Sequence, residues 1–155
     1  MPRLPLPPVT DLPTHGRILA IDWGTRRVGL AITDESQTLA TPLTTLTRRA
    51  GKRFPFKRLI DVIEAHRPVG VLFGLPLSSE GGETETTRAI RALVQKLREL
   101  TALPVSLWDE RMSTARALGA IKEQGGTVRG RKRDIDALAA AVLLQHFLAS
   151  RRPAP

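Results

Sequence analysis

The stretch RILAIDWGTRRVGLAIT, residues 17–33, decides the fold of this chain. Its first part, Arg17 to Asp22, is a short aliphatic run that predicts a buried strand. Gly24-Thr25-Arg26 predicts a tight turn, and Val28 to Thr33 predicts a second strand, so the two strands should form a hairpin. The first strand ends on a carboxylate, at the edge of an apolar element where acids are unusual.

Outward from this hairpin, the pattern predicts a third strand from Thr41 to Thr47 and then helices that alternate with strands. The near-continuous apolar run from Val69 to Leu75 is typical of a central parallel strand covered on both faces. Strands joined by helical crossovers run parallel, so the fold class is α/β. We expect a five-stranded mixed sheet, a three-strand meander plus parallel strands, with helices on both faces. The remaining predicted elements are a strand at 104–108 and helices at 56–66, 83–100, 113–124 and 134–150.

The length of 155 residues predicts a single domain, residues 16–150. A Pro-rich disordered arm should precede it (residues 1–15), and a short tail should follow it (residues 151–155). The chain has no cysteine, which excludes disulfides, thiolate zinc sites and cysteine nucleophiles. No stretch reaches the length of a membrane span, and prolines interrupt the N-terminus where an export signal would need an apolar core. We therefore expect a cytoplasmic protein without membrane contact.

The net charge of the chain indicates what kind of partner it binds. With 24 Lys and Arg against 15 Asp and Glu, the net charge is +9 and the pI about 11.3. Clustered charge of this size favours binding to a phosphate backbone, although an arginine-rich soluble protein would show the same total. An aromatic fraction of 4% disfavours a surface that binds by base stacking. The candidate nucleic-acid-binding residues are Arg26, Arg27, Arg111, Arg129, Arg131, Lys132 and Arg133, of which the last four belong to a Gly/Arg loop that could clamp the substrate or simply be solvated.

Three carboxylates indicate the chemistry: Asp22, Glu110 and Asp136. The first two follow strand ends, and the third opens the last predicted helix, so all three can reach one edge of the sheet. Carboxylates gathered in a basic protein suggest a Mg²⁺ or Mn²⁺ site that acts on a polyanion, as in a nuclease.

Each acid also has a structural interpretation. Asp22 could form a turn, and the other two could interact with helix dipoles. Asp134 and Asp136 are about 200° apart around a helix, so only one of them can face the site. Asp109 and Glu110 point to opposite faces if their strand continues, and we favour Glu110.

Four motifs occur in a fixed order between about Arg17 and Leu148. They are IDWGTRRVGLA (21–31), GLPL (74–77) with Gly81 after it, DERMST (109–114) and DALAAA (136–141). Together they resemble the YqgF family of pre-16S rRNA nucleases, also described as Holliday junction resolvase-like proteins. The resemblance implies an RNase H-like fold and metal-dependent cleavage of nucleic acid, with Asp22, Glu110 and Asp136 as the catalytic acids.

Several functions remain open at this point. The chain could cleave structured RNA, in 5′-end maturation of small-subunit ribosomal RNA with or without the ribosome as partner. It could instead resolve four-way DNA junctions, and the metal site does not distinguish the two. A junction resolvase should be a homodimer, whereas an RNA nuclease can act as a monomer. A nucleotide-binding ATPase is disfavoured, because such enzymes hold the nucleotide between two domains and this chain supplies only one. A last alternative is a protein that has kept the fold and binds nucleic acid but does not cleave it.

Overall fold

The computed structural model describes residues 12–24, 26–47, 54–75, 85–109 and 132–151. The strands in these ranges are β1 (Ile18–Asp22), β2 (Arg27–Thr33), β3 (Ala40–Thr47), β4 (Gly70–Leu75) and β5 (Val105–Asp109). The helices are α1 (Phe56–His66), α2 (Glu85–Thr101) and α3 (Lys132–Arg151). The helix that the sequence predicts at residues 113–124 lies outside the described ranges.

The five strands form one sheet in the order β3-β2-β1-β4-β5. Strands β1, β2 and β3 are antiparallel neighbours, whereas β4 runs parallel to both β1 and β5. The predicted mixed sheet, a three-strand meander beside a parallel half, is confirmed. Because β4 lies between β1 and β5, the carboxyl ends of these three parallel strands lie along one edge of the sheet.

Alternation of side chains along β1 divides the core into two layers. Leu19 and Ile21 pack with apolar side chains of α1 and α2, whereas Ile18 and Ala20 pack with those of α3. Helices therefore cover both faces, as predicted. Small residues such as the fully buried Ala140 let α3 approach the sheet closely. Although α3 has 20 residues, neither it nor another helix in the described ranges is apolar and long enough to cross a membrane.

The N-terminal segment packs on the fold from residue 12 onward. Leu12 is 2% exposed and belongs to the α3 layer of the core. Its carbonyl oxygen accepts a hydrogen bond from Nη2 of Arg151 at 2.7 Å. Residues 12–15 were expected in a disordered arm, and burial of the Leu12 side chain explains why they are instead placed on the sheet. Arg151, expected in the tail, is the last residue of α3.

The loop between β2 and β3 also holds this N-terminal segment. Nε2 of Gln37 donates to the carbonyl oxygens of Pro13 and Gly16 at 2.9 and 3.0 Å. Gly16 has a φ of +102°, a conformation that L side chains rarely adopt. These contacts fix the entry into β1. Residues 1–11 of the predicted arm lie outside the described ranges.

Candidate active site

Asp22 is the last residue of β1 and is 9% exposed. Its neighbours on both adjoining strands are glycines: Gly29 lies opposite it on β2, and Gly74 lies beside it on β4. Alternation puts Asp22 on the same face as Ile18 and Ala20, which is the face covered by α3. Neither glycine has a side chain that would cover the Asp22 carboxylate from its own strand.

Asp136 lies on the sheet-facing side of α3 and is 1% exposed. The helix begins at Lys132, two residues before the predicted start, so Asp134 lies within α3 and is not its N-cap. Asp136 is consequently the fifth residue of the helix, beyond its first turn. A position past the first turn is poorly placed to interact with the helix dipole, which weakens the structural interpretation of this acid.

Gly29 is a direct neighbour of both Asp22 and Asp136. A Cβ atom built on Gly29 would lie 1.9 Å from the backbone oxygen of Asp136 and 2.4 Å from its carbonyl carbon, so strand and helix backbones touch here. The same glycine is the cross-strand partner of Asp22, and directly opposed Cα atoms of an antiparallel pair lie about 4.5–5.5 Å apart. Asp22 and Asp136 are therefore both neighbours of one glycine, on one face and at one edge of the sheet.

Asp136 forms an ion pair within the site. Nε of Arg27 donates to Oδ2 of Asp136 at 2.6 Å, and the Arg27 side chain is 30% exposed. Arg27 begins β2 and lies two residues before Gly29, so both residues are on the α3 face of that strand. The contact joins positions 109 apart in the chain. Arg27, predicted to bind nucleic acid, thus has an intramolecular carboxylate partner.

Asp22 differs from Asp136 in its surroundings. Within the described ranges, no cation pairs with the Asp22 carboxylate. A buried carboxylate without a cation is costly, and a divalent ion with oxygen ligands would offset that cost. The donor set therefore fits Mg²⁺ or Mn²⁺, although the described residues alone contain no group of three or more possible metal ligands. Glu110, the third predicted ligand, follows the last residue of β5 and lies outside the described ranges.

The predicted basic residues are described only in part. Arg26 is exposed next to the site. Lys132 and Arg133 are the first two residues of α3, where basic residues are unusual and an anion would be stabilised. Arg111, Arg129 and Arg131 lie outside the described ranges.

Two features of the site have only a weak signal in the sequence. Gly29 falls within a predicted strand, and nothing in its neighbours indicates that a helix more than 100 residues later touches it. The Arg27–Asp136 ion pair depends on the same long-range contact. The only available hint is a glycine inside a strand, which often marks a close approach of another backbone.

Comparison with known proteins gives a consistent result. Residues 16–150 match the family described as "RuvX: Holliday junction resolvase". A protein of Maridesulfovibrio salexigens with the name "Putative pre-16S rRNA nuclease" is 39% identical over 133 residues, which cover 86% of this chain and 98% of that protein. A protein of the same name from Oleidesulfovibrio alaskensis is 40% identical over 132 residues, or 85% of this chain and 91% of that protein.

The fold also has a counterpart among solved structures. RuvC of Thermus thermophilus aligns with a TM-score of 0.55 at 17% identity, over 87% of this chain and 95% of that one. At this identity the likeness concerns the fold, and it confirms the predicted RNase H-like architecture. Nucleases and resolvases of the RuvC-like type generally depend on a divalent metal.

Proposed function

The chain belongs to the RuvX family, and on that premise we propose that it is a divalent-metal-dependent endonuclease that matures the 5′ end of pre-16S rRNA. Its family and relatives make it a nucleic-acid hydrolase. The observation that supports the assignment of its site is that two buried acidic residues, Asp22 and Asp136, are both neighbours of Gly29 on one face of the sheet. In a chain of net charge +9, these acids lie where a phosphate backbone would be attracted.

We assign metal binding to Asp22, Asp136 and Glu110. A bound Mg²⁺ or Mn²⁺ would activate a water molecule and stabilise charge on the phosphate oxygens. The chain's own part is to hold the carboxylates in place: β1 and β2 fix Asp22, and the contact at Gly29 fixes the backbone of Asp136. Serine, histidine or cysteine nucleophiles have no part in this chemistry.

We assign substrate binding to the basic residues around the acids. Arg26 is exposed beside the site, and Lys132 and Arg133 open α3. Together with Arg111, Arg129 and Arg131, they would hold the phosphates on either side of the cleaved bond, with little dependence on base sequence. The choice of pre-16S rRNA rests on the relatives, whose names specify it and which this chain matches over nearly their full length. The substrate would meet the enzyme in the cytoplasm, free or within a ribosomal precursor.

The first test separates cleavage from binding. Asp22→Asn should lower the rate of Mn²⁺-dependent cleavage of a pre-16S rRNA fragment by a factor of about 10² or more, because a ligand to the metal is lost. Binding to the same RNA should persist or tighten, because a negative charge is removed. Asp61→Asn is the matched control, since it makes the same change at an exposed position of α1. Equal cleavage by the unaltered protein and Asp22→Asn would reject the catalytic assignment.

The second part of the test concerns the substrate. A pre-16S rRNA fragment, an unstructured RNA and a four-way DNA junction are compared at equal concentration with Mn²⁺ and with Mg²⁺. We expect cleavage of the rRNA fragment at its 5′ side to be fastest. Cleavage of the junction alone, by a protein whose mass in solution is that of a dimer, would favour a resolvase instead.

A further inference from the structure

Arg27 has a partner that the proposed cleavage chemistry leaves unexplained. Its Nε donates to Oδ2 of Asp136 at 2.6 Å, and that carboxylate is 1% exposed. A buried carboxylate without a nearby cation is strongly destabilising. The guanidinium group of Arg27 therefore neutralises one of the two acids that the described site contains.

We propose that Arg27 is the resident counterion of Asp136, and that Arg27 and a divalent cation compete for this carboxylate. The inference rests on the proposed function, because it takes Asp136 to be a metal ligand. Arg27 acts through Asp136 and is therefore a positioning residue. It supplies positive charge to the site before metal binds and lowers the affinity of the site for metal.

The two partners differ in their freedom to move. Asp136 is held by its helix, whose backbone touches Gly29 with no room for even a methyl group between them. Arg27 lies at the first position of β2, and its side chain is 30% exposed. The Arg27 side chain can move towards solvent without disturbing the core, whereas Asp136 is attached to a fixed backbone and cannot move with it. The ion pair can therefore open on the Arg27 side while Asp136 stays in position.

Electrostatics gives the direction of the effect. A guanidinium group and a divalent cation on the two oxygens of one carboxylate repel each other strongly at such short range. Removing the positive charge of Arg27 should therefore strengthen metal binding, while it weakens the fold in the absence of metal. A residue that merely oriented a metal ligand would have the opposite effect, because loss of such partners typically weakens metal affinity about 10–100-fold.

The test uses Arg27→Gln and Arg27→Lys in the full chain, with Mn²⁺ alone as the probe. Isothermal titration should show that Arg27→Gln binds Mn²⁺ about tenfold more tightly than the unaltered protein. Without metal, the same variant should unfold at a lower urea concentration. The lysine variant, which keeps the charge but lacks the planar fork of arginine, should be intermediate in both measurements.

Two controls assign the effect to this ion pair. Arg26→Gln removes the same charge from the adjacent, exposed position and should change Mn²⁺ affinity far less. Arg27→Gln should also have little effect on metal-free stability when Asp136→Asn is already present, because the ion pair no longer exists. A large effect of Arg27→Gln in that background would overturn the proposal.

The outcomes are distinguishable. If the unaltered protein binds Mn²⁺ and Asp136→Asn weakens that binding, but Arg27→Gln binds Mn²⁺ equally or more weakly, only the counterion proposal fails. If the unaltered protein binds no Mn²⁺, the proposed function fails together with it. Should Arg27→Gln fold only when Mn²⁺ is present, the proposal is supported. Should it not fold in either condition, Arg27→Lys decides, and an unchanged or weaker Mn²⁺ affinity overturns the proposal.

Discussion

At Gly29, strand β2 and helix α3 approach so closely that no side chain fits between them. The atoms that a Cβ would meet belong to the backbone of Asp136 and Ala137, so no side-chain rotation could relieve the clash. The position of Asp136, one of the proposed metal ligands, relative to the sheet thus depends on the absence of a side chain at residue 29. Asp22, opposite that glycine on β1, depends on the same contact for its distance from Asp136.

Gly29→Ala should therefore affect both stability and cleavage. We expect a loss of about 1–3 kcal/mol in the free energy of unfolding, as is typical of overpacking, measured by urea denaturation. Cleavage should fall because α3 must move away from Asp22. Gly70→Ala is the matched control: its Cβ would meet only side-chain atoms, the nearest being the end of the Leu12 side chain at 2.9 Å, which can shift, with Pro13 and Ile18 at 3.4 and 3.5 Å. Equal stability of the two variants would contradict the proposed role of the contact.

The residues of the site were only partly predictable. The chain positions of Asp22 and Asp136, at a strand end and near a helix start, indicate one edge of the sheet. The ion pair between Arg27 and Asp136 was not predictable, because it depends on a packing contact across 109 positions. An arginine beside a turn in a basic chain looks like a substrate-binding residue whether or not it has an internal partner.

Among the described elements, α3 makes contacts with four of the five strands, β1, β2, β3 and β4, and it also receives the N-terminal segment. Its last residue, Arg151, donates to the carbonyl oxygen of Leu12 and lies over the ring of Phe147, 4.9 Å from its centroid. Partial burial lowers the pKa of the Arg151 guanidinium from its usual value. The helix that positions Asp136 is thus held at its far end by the segment before β1.

Leu12→Ala should destabilise the protein although it lies outside the predicted domain. The side chain is 2% exposed and belongs to the core, so we expect a loss of about 2–5 kcal/mol in the free energy of unfolding. Thermal and urea unfolding measure it. Leu39→Ala makes the same change at a side chain that is 60% exposed, and should stay within about 0.5 kcal/mol of the unaltered protein. Similar values for the two variants would show that residue 12 is not part of the core.

The elements themselves were predictable because local pattern and tertiary packing agree in them. The apolar run from Val69 to Leu75 predicts a central strand, and β4 lies between two parallel neighbours. Helices α1 and α2 have the expected apolar faces, with Leu59 and Ile90 buried. The boundary at residue 12 was not predictable, because one leucine among prolines does not reveal whether it has a place in the core.

At the scale of the whole molecule, the net positive charge governs the association of the protein with its substrate. A net charge of +9 attracts nucleic acid before any specific contact forms, and it does so through the phosphates. Metal binding would reduce the repulsion between the acids of the site, and phosphate binding would reduce the repulsion among the basic residues around them.

Binding of the Asp22→Asn protein to rRNA should weaken steeply as salt rises. The logarithm of the association constant should fall linearly with the logarithm of salt concentration, by about 0.7 for each single-stranded phosphate contacted and about 0.9 for each duplex one, the duplex value being that for B-DNA. Fluorescence anisotropy over a series of NaCl concentrations measures the slope. A neutral osmolyte at matching osmolality serves as the control and should leave the affinity unchanged. An affinity independent of salt would argue against recognition of the backbone.

The hydrogen bond between Arg151 and Leu12 brings positions from opposite ends of the described chain into contact. The N- and C-terminal parts of the domain are therefore spatial neighbours, which is the arrangement that circular permutation requires. A few flexible residues would be enough to connect position 151 to position 12 in such a permuted chain.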